Sequence, residues 1–243
     1  MRPRTLLGLL IPLACAALFV RLGVWQLTRH RERAAWNAAL EARQAASPAP
    51  FRSLPLTDSS AVRGRRALAD GRFRYEREQV LAGRVNEGSP GVHLLTPLAL
   101  DGTDTLLVVV RGWVYSPDAA AVELARWREG DRVIVAGHLL PLPPDGPRPP
   151  ADAARPLRSL SVAALEARFG APVWPVQLVM TSDSAPRADS VPRRLRPPAL
   201  DAGPHWSYML QWFGFAGVAV VGGALLFRRQ RRTDAQATRS RRV

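Results

Sequence analysis

A run of 22 residues without a charged side chain, 206–227, is the feature that most restricts how this chain folds. A bilayer core about 30 Å thick requires about 20 apolar helical residues, so the run is long enough to cross a membrane as one helix. Four arginines follow it within five residues. The run begins beside His205, and five of its first ten residues are aromatic, which a simple membrane anchor does not require.

A second apolar run lies near the N-terminus, where 5–20 are uncharged and 22–27 continue the apolar character after Arg21. Two interpretations are open: a cleaved signal peptide with small residues at 14–16, and an uncleaved span from about Leu6 to Leu27. We favour the span, because the apolar character extends well past the cleavage point. Trp25 then lies in the interfacial aromatic belt, and the Arg21 stem reaches the headgroups.

The distribution of charge predicts the orientation of the two spans. Residues 1–33 hold six arginines and one glutamate, and 228–243 hold seven arginines and one aspartate. The arginines after the second span place the C-terminus in the cytoplasm, and two spans place the N-terminus there as well. The middle of the chain then lies outside the membrane, and no amphipathic transit sequence precedes the first span, which favours the inner membrane of a bacterium.

The net charge of +14 does not indicate a nucleic-acid partner. The two flanks carry +5 and +6, so the other 194 residues carry only +3. A nucleic-acid binder concentrates its basic residues on the folded domain. The partner that the charge predicts is the lipid bilayer.

The predicted fold class is two transmembrane α-helices flanking an extracytoplasmic, mainly antiparallel β (α+β) domain. Strand-like runs separated by turn residues are 71–75, 79–81, 92–95, 105–114, 132–140 and 173–180. Asp101-Gly102 is the best hairpin signal. Short helices are predicted within 58–69, 119–126 and 161–169. Asp118 is the predicted cap of the second, Ser159 or Ser161 caps the third, and Gly170 ends it. Pro175 requires its strand to lie at a sheet edge.

The predicted domain boundaries follow from these signals. They are a first transmembrane helix at 1–28, a helical extension and linker at 29–50, an extracytoplasmic β-rich domain at 51–182, a Pro/Arg-rich lead-in at 183–204, a second transmembrane helix at 205–227 and a cytoplasmic Arg-rich tail at 228–243.

The chain carries little that indicates catalysis, so we predict that it is not an enzyme. Cys15 is the one cysteine, and none of the four histidines has metal-site spacing. A phosphate-binding glycine loop and a nucleophile elbow are both missing. His93 and His138 are predicted to be structural, and His30 to meet lipid headgroups.

His205 differs from the other histidines in its position at the start of the second span. On a helix, His205 shares a face with Tyr208, Met209, Trp212 and Ala216. One interpretation is a haem ligand with aromatic rings packed against the macrocycle. The other is an aromatic belt in which the histidine merely begins a helix, and the residues alone favour this simpler one.

Two smaller patterns also have alternatives. Arg111-Gly112-Trp113 is either a strand end, where glycine lets the chain turn beside a packed indole ring, or a docking surface. We favour the structural role. Ala219 and Gly223 form a small-residue pair that suits close approach to another helix.

Several segments together resemble the Surfeit locus protein 1 family. They occur in that family's order and with its two-span topology, at 22–29 (LGVWQLTR), 71–73 (GRF), 90–98 (PGVHLLTPL), 109–114 (VVRGWV) and 205–213 (HWSYMLQWF).

This resemblance implies a membrane assembly factor for a haem-copper terminal oxidase, above all cytochrome c oxidase. It implies haem A as a transient cofactor, with His205 as the candidate axial ligand to the haem iron and Tyr208 and Trp212 beside it. The implied partners are the catalytic subunit of the oxidase and the machinery of haem A synthesis. The alternatives are a cofactor-free membrane scaffold and an extracytoplasmic sensor or binding module.

Overall fold

The computed structural model describes residues 3–147, 155–181, 192–197 and 200–240, with side chains from residue 10 to residue 233. The helices are α1 (Pro3–Ala45), α2 (Ser59–Val62), α3 (Val162–Phe169) and α4 (His205–Ser240). The strands are β1 (Ala49–Pro50), β2 (Arg66–Phe73), β3 (Gln79–Asn86), β4 (Ser89–Ala99), β5 (Leu106–Tyr115), β6 (Arg132–Pro141) and β7 (Val173–Met180). Much of the predicted lead-in at 183–204 lies outside the described residues.

The chain forms two compact units, a helical unit of Met1–Ala39 with Leu200–Val243 and a barrel unit of Leu40–Ala199. Both long helices qualify by length and composition as membrane spans, over Leu10–Ala45 and His205–Thr233. The predicted pair of apolar helices around a β-rich domain is therefore confirmed. α1 continues to Ala45, as the helix-forming residues after position 28 predict.

In the helical unit, α1 and α4 approach each other closely where glycine replaces a larger side chain. A Cβ atom on Gly23 would lie 2.8 Å from the ring of Phe213, and one on Gly223 would lie 2.7 Å from Pro12. The less exposed residues of α4 recur every three or four positions, at His205, Met209, Trp212, Ala216, Ala219 and Gly223. The predicted role of Gly223 in close helix packing is confirmed.

The barrel unit contains a closed ring of five strands in the order β2, β6, β7, β5 and β4. Pairing of Arg72 with Ala99 and of Phe73 with Leu98 closes the ring between β2 and β4. β3 extends the sheet beyond β4, and β1 extends it beyond β2. Only the β5–β7 and β1–β2 pairs are parallel among the described strands, so the prediction of a mainly antiparallel β domain is confirmed.

Alternating side chains fill the barrel and cover its outer face. One cluster of buried apolar residues lies inside, including Ala67, Leu107, Val135 and Leu178. A second cluster packs Leu165 and Phe169 of α3 against the outer face of the sheet. α3 agrees with its prediction, since the Ser161 hydroxyl accepts from the Ala164 amide and Gly170 ends the helix in the left-handed conformation.

Two of the predicted short helices are wrong in extent. Asp58 caps α2 as an N-cap residue should, but Gly64 has φ of +76° and Arg66 already pairs in β2. Asp118 caps a turn rather than a helix, because its carboxylate accepts from the amides of Ala120 and Ala121. A hydrogen bond from the Ser116 hydroxyl, followed by these amides, lowers the pKa of Asp118 to about 2.

The prediction that Pro175 requires an edge strand is wrong, because β7 lies between β6 and β5. The register between β5 and β7 shifts where Leu106 pairs with Val173 and Val108 pairs with Gln177. Pro175 lies in the unpaired stretch created by this shift, where no ladder hydrogen bond requires an N–H group. Its carbonyl still accepts from the Leu142 amide at 2.9 Å.

The side chain of Arg111 points into the protein interior, on the same face of β5 as Leu107 and Val109, at a β-bulge. Leu94 pairs with Gly112 and Leu95 pairs with Val110, so Arg111 is the extra residue on β5. Its side chain is fully buried. The guanidinium reaches Glu78 Oε1 at 2.5 Å, Thr96 Oγ1 at 2.7 Å and Glu129 Oε1 at 2.9 Å.

The surroundings of Arg111 balance its charge and fill the remaining space. Arg194 also pairs with Glu129 and donates to the Arg111 carbonyl at 2.6 Å, so two arginines meet two glutamates. The rings of Phe73 and Tyr75 lie 5.8 and 5.3 Å from the guanidinium carbon. These contacts support the structural interpretation of the Arg111-Gly112-Trp113 segment.

Replacing Arg111 by Met should lower the free energy of unfolding by about 3–5 kcal/mol, because Glu78 would remain buried without its cation. Chemical denaturation of the full chain in detergent, followed by tryptophan fluorescence, measures this change. Arg132→Met is the matched control, because its partner Asp101 is 79% exposed and water replaces the lost contact. An Arg111→Met midpoint equal to that of the control would contradict the proposed importance of the buried ions.

Candidate functional site

The site centres on the first residue of α4. His205 is half-buried, and its Nδ1 atom lies 2.9 Å from Oε1 of Gln26 on α1. Gln26 is only 9% exposed, although a glutamine amide in an apolar helix requires a partner. The histidine is therefore held by the one buried polar side chain that α1 offers among the residues described on that helix.

This hydrogen bond fixes the proton on the imidazole ring. The Gln26 oxygen is only an acceptor, so Nδ1 of His205 carries the proton and donates it. In the neutral ring the other nitrogen, Nε2, then has a free lone pair. Nε2 makes no hydrogen bond within the described part of the chain. His205 thus presents an atom able to bind a metal ion or accept a hydrogen bond.

The segment before α4 is also fastened to α1. The carbonyl of Asp201 accepts from Arg33 Nε at 2.8 Å and from Asn37 Nδ2 at 3.0 Å. The Asp201 carboxylate accepts from the Gly203 amide at 2.8 Å, and Gly203 has φ of +64°. The start of α4 is therefore anchored from both sides of His205, by Gln26 and by the residues that hold Asp201.

The aromatic residues around His205 divide into two groups. Trp25, Trp206 and Tyr208 are 49%, 53% and 45% exposed, as in an interfacial aromatic belt. Trp212 instead stacks on Phe19 of α1, with ring centroids 5.8 Å apart. Of the two predicted companions of His205, Tyr208 is thus open to a ligand, whereas the Trp212 ring contributes to helix pairing.

The other histidines lie in different surroundings. His30 is half-buried, with its ring 5.6 Å from that of Trp206 and its Nδ1 atom buried without a partner. It therefore packs within the helical unit rather than only meeting headgroups. His93 and His138 belong to the barrel unit, and the described residues contain no group of three potential metal ligands.

Sequence reasoning missed Gln26 as the partner of His205. The two residues are 179 positions apart, so no local spacing connects them. A signal was present, since Gln26 belongs to the segment 22–29 and His205 begins the segment 205–213. In an antiparallel helix pair these segments lie at the same membrane face, so polar residues of the two are natural partners.

The fold and the site together define a membrane protein in which two apolar helices bracket a small β-barrel and meet at a histidine–glutamine pair. The profile of the SURF1 family matches residues 13–217, which is most of the chain. The chain belongs to the SURF1 family.

Relatives in mycobacteria support this assignment. The chain is 28% identical over 210 residues to an uncharacterized SURF1-like protein, Mb2259, of Mycobacterium bovis. It is equally similar to the uncharacterized SURF1-like protein Rv2235 of Mycobacterium tuberculosis. Both alignments cover 84% of this chain and 76% of the relative.

The hydrogen bond between His205 and Gln26 predicts a single neutral tautomer of the ring. Nitrogen-15 NMR of histidine-labelled protein in micelles should show a protonated Nδ1 and an unprotonated Nε2 for His205. Gln26→Leu removes the acceptor, so the proton should redistribute between the two nitrogens. Gln211→Leu, at an exposed position on α4, should leave the His205 signals unchanged. Identical spectra for wild type and Gln26→Leu would refute the assignment.

Proposed function

We propose that this protein assists the assembly of a haem-copper terminal oxidase, cytochrome c oxidase in particular. In this proposal it holds haem A transiently through His205 and passes it towards the catalytic subunit. The observation that carries the proposal is the hydrogen bond between Nδ1 of His205 and Oε1 of Gln26, which leaves Nε2 of the ring available to a ligand. Membership in the SURF1 family supports the role in oxidase assembly.

The residues present fit an axial ligand to haem iron. Histidine ligands donate their second ring N–H to an oxygen acceptor, which fixes the tautomer and the ring orientation, and Gln26 supplies that oxygen here. Haem A, as cargo, would supply the iron that accepts the Nε2 lone pair. Tyr208 offers an exposed ring one turn along α4.

A cofactor-free scaffold is the second candidate, and the exposed aromatic residues favour it. Trp25, Trp206 and Tyr208 have the exposure expected of residues that meet lipid headgroups, without any ligand. In this case the helices and the barrel hold a membrane partner during assembly, and haem never co-purifies. The two candidates therefore differ in one spectroscopic observation.

Protein co-expressed with the machinery of haem A synthesis should purify with a haem A absorbance band. His205→Ala should lose that band, because the ring nitrogen is the proposed iron ligand. His93→Gln is the matched control, since it removes a histidine of the barrel unit and should retain the band. Equal haem content in wild type and His205→Ala would exclude His205 as the ligand. Impaired oxidase assembly on deletion, with no haem in the purified protein, would favour the scaffold.

We also propose that the protein lies in a bacterial inner membrane with both termini in the cytoplasm and the barrel unit outside. The arginines at 228–232 support this orientation through the positive-inside rule. A reporter enzyme that is active only outside the cytoplasm should be silent when fused after Val243. The same reporter inserted in the loop at 101–104 should be active. The reverse pattern of reporter activity would show that the proposed topology is wrong and that the barrel unit lies in the cytoplasm.

A further inference from the structure

A cavity of about 480 Å³ lies on the outer face of the barrel, in the barrel unit. Its floor comes from β6, β7 and β5, which contribute Leu140, Gln177, Val179 and Val110. Leu160 and Leu195 contribute further apolar wall. This volume lies within the range of small-molecule sites, and most of the lining is apolar, as such sites require.

Arg84 supplies a positive charge to this cavity that no described carboxylate neutralises. Its Nη2 atom donates to the Arg158 carbonyl at 3.1 Å. Its Nε atom is buried and makes no hydrogen bond, and the side chain forms no salt bridge within the described residues. An arginine that lines a cavity without a carboxylate partner gains a charge-assisted hydrogen bond when an anion binds beside its guanidinium.

The other polar side chains of the described lining are His93, His138, Gln177, Thr181 and Arg196, and none of them is an acid. Burial, followed by the charge of Arg84, lowers the pKa of His93 to about 4, so its ring is uncharged at neutral pH. The side-chain amide of Gln177 makes no hydrogen bond with a described residue. The exposed Arg196 lies at the rim and pairs loosely with Glu87 at 3.4 Å. No carboxylate belongs to the described lining.

We infer that this cavity is a binding site for a single-chain amphiphile with an anionic head, either a carboxylate or a phosphate. The leucine and valine side chains accept the apolar chain, and the head accepts hydrogen bonds from the Arg84 guanidinium and the Gln177 amide. A metal cation is excluded as the ligand, because the two charged side chains of the described lining, Arg84 and Arg196, are both positive. The site shares no residue with the His205 site and does not depend on haem.

Calorimetric titration of the full-length protein in nanodiscs tests this inference with three probes of equal chain length: octanoate, octyl phosphate and octanol. Empty nanodiscs measure partitioning into lipid, which is subtracted. The protein should bind an anionic probe more tightly than octanol, and the tighter of the two anions identifies the head group. Arg84→Gln should weaken anion binding about tenfold or more and leave octanol unchanged.

Two further variants separate the cavity from the rest of the surface. Leu160→Trp fills the cavity and should weaken the binding of all three probes. Arg77→Gln is the matched control, because Arg77 also donates to one carbonyl, that of Phe169, but lies outside the cavity. Thermal unfolding of each variant confirms that it is folded. Equal binding of octanol and both anions, wild-type anion affinity in Arg84→Gln, or no binding beyond empty nanodiscs would overturn the inference.

Discussion

The barrel unit depends on neutralising one guanidinium that lies inside it, that of Arg111. Arg111 cannot be buried alone, because an isolated charge in a low-dielectric interior is strongly unfavourable. Its partners come from distant parts of the chain: Glu78 before β3, Thr96 on β4, Glu129 before β6 and Arg194 after β7. The ion cluster therefore brings these segments together at one place, which a purely apolar core of similar volume would not require.

The glycines beside Arg111 follow from the same arrangement. A Cβ atom on Gly112 would lie 2.6 Å from the Arg193 carbonyl, and the Trp113 amide donates to that carbonyl at 2.8 Å. A Cβ atom on Gly91 would lie 2.4 Å from Nε1 of Trp113. The segments 90–98 and 109–114, which resemble a family pattern, are thus parts of a single packed region rather than separate surface motifs.

Local signals in the sequence predicted much of the fold. The two membrane spans could be predicted because an uninterrupted apolar run of about 20 residues is typical of a transmembrane helix. α3 could be predicted because Ser161 and Gly170 mark its ends. The β4–β5 hairpin could be predicted because Asp101-Gly102 marks its turn. The predictions failed at the start of β2 and at Pro175, where strand pairing determines the structure. Which strands become neighbours depends on contacts between segments that are distant in the sequence.

The candidate site was predictable only in part for the same reason. His205 is conspicuous by its position at the start of an apolar run, and the sequence alone singles it out. Gln26 is hidden in an ordinary apolar helix, and its role requires the antiparallel pairing of two helices. The charge of Arg84 was equally invisible, because no sequence pattern shows that an arginine lacks a carboxylate partner in the folded chain.

The hydrogen bond between Gln26 and His205 has a consequence for the biogenesis of this protein. Its two members are translated 179 residues apart and belong to helices that insert into the membrane at different times. Until α4 has inserted and docked against α1 through Gly23 and Gly223, nothing fixes the proton on Nδ1. The hydrogen bond at His205 therefore forms only after α4 and all of the chain before it, including the barrel unit, have been synthesised.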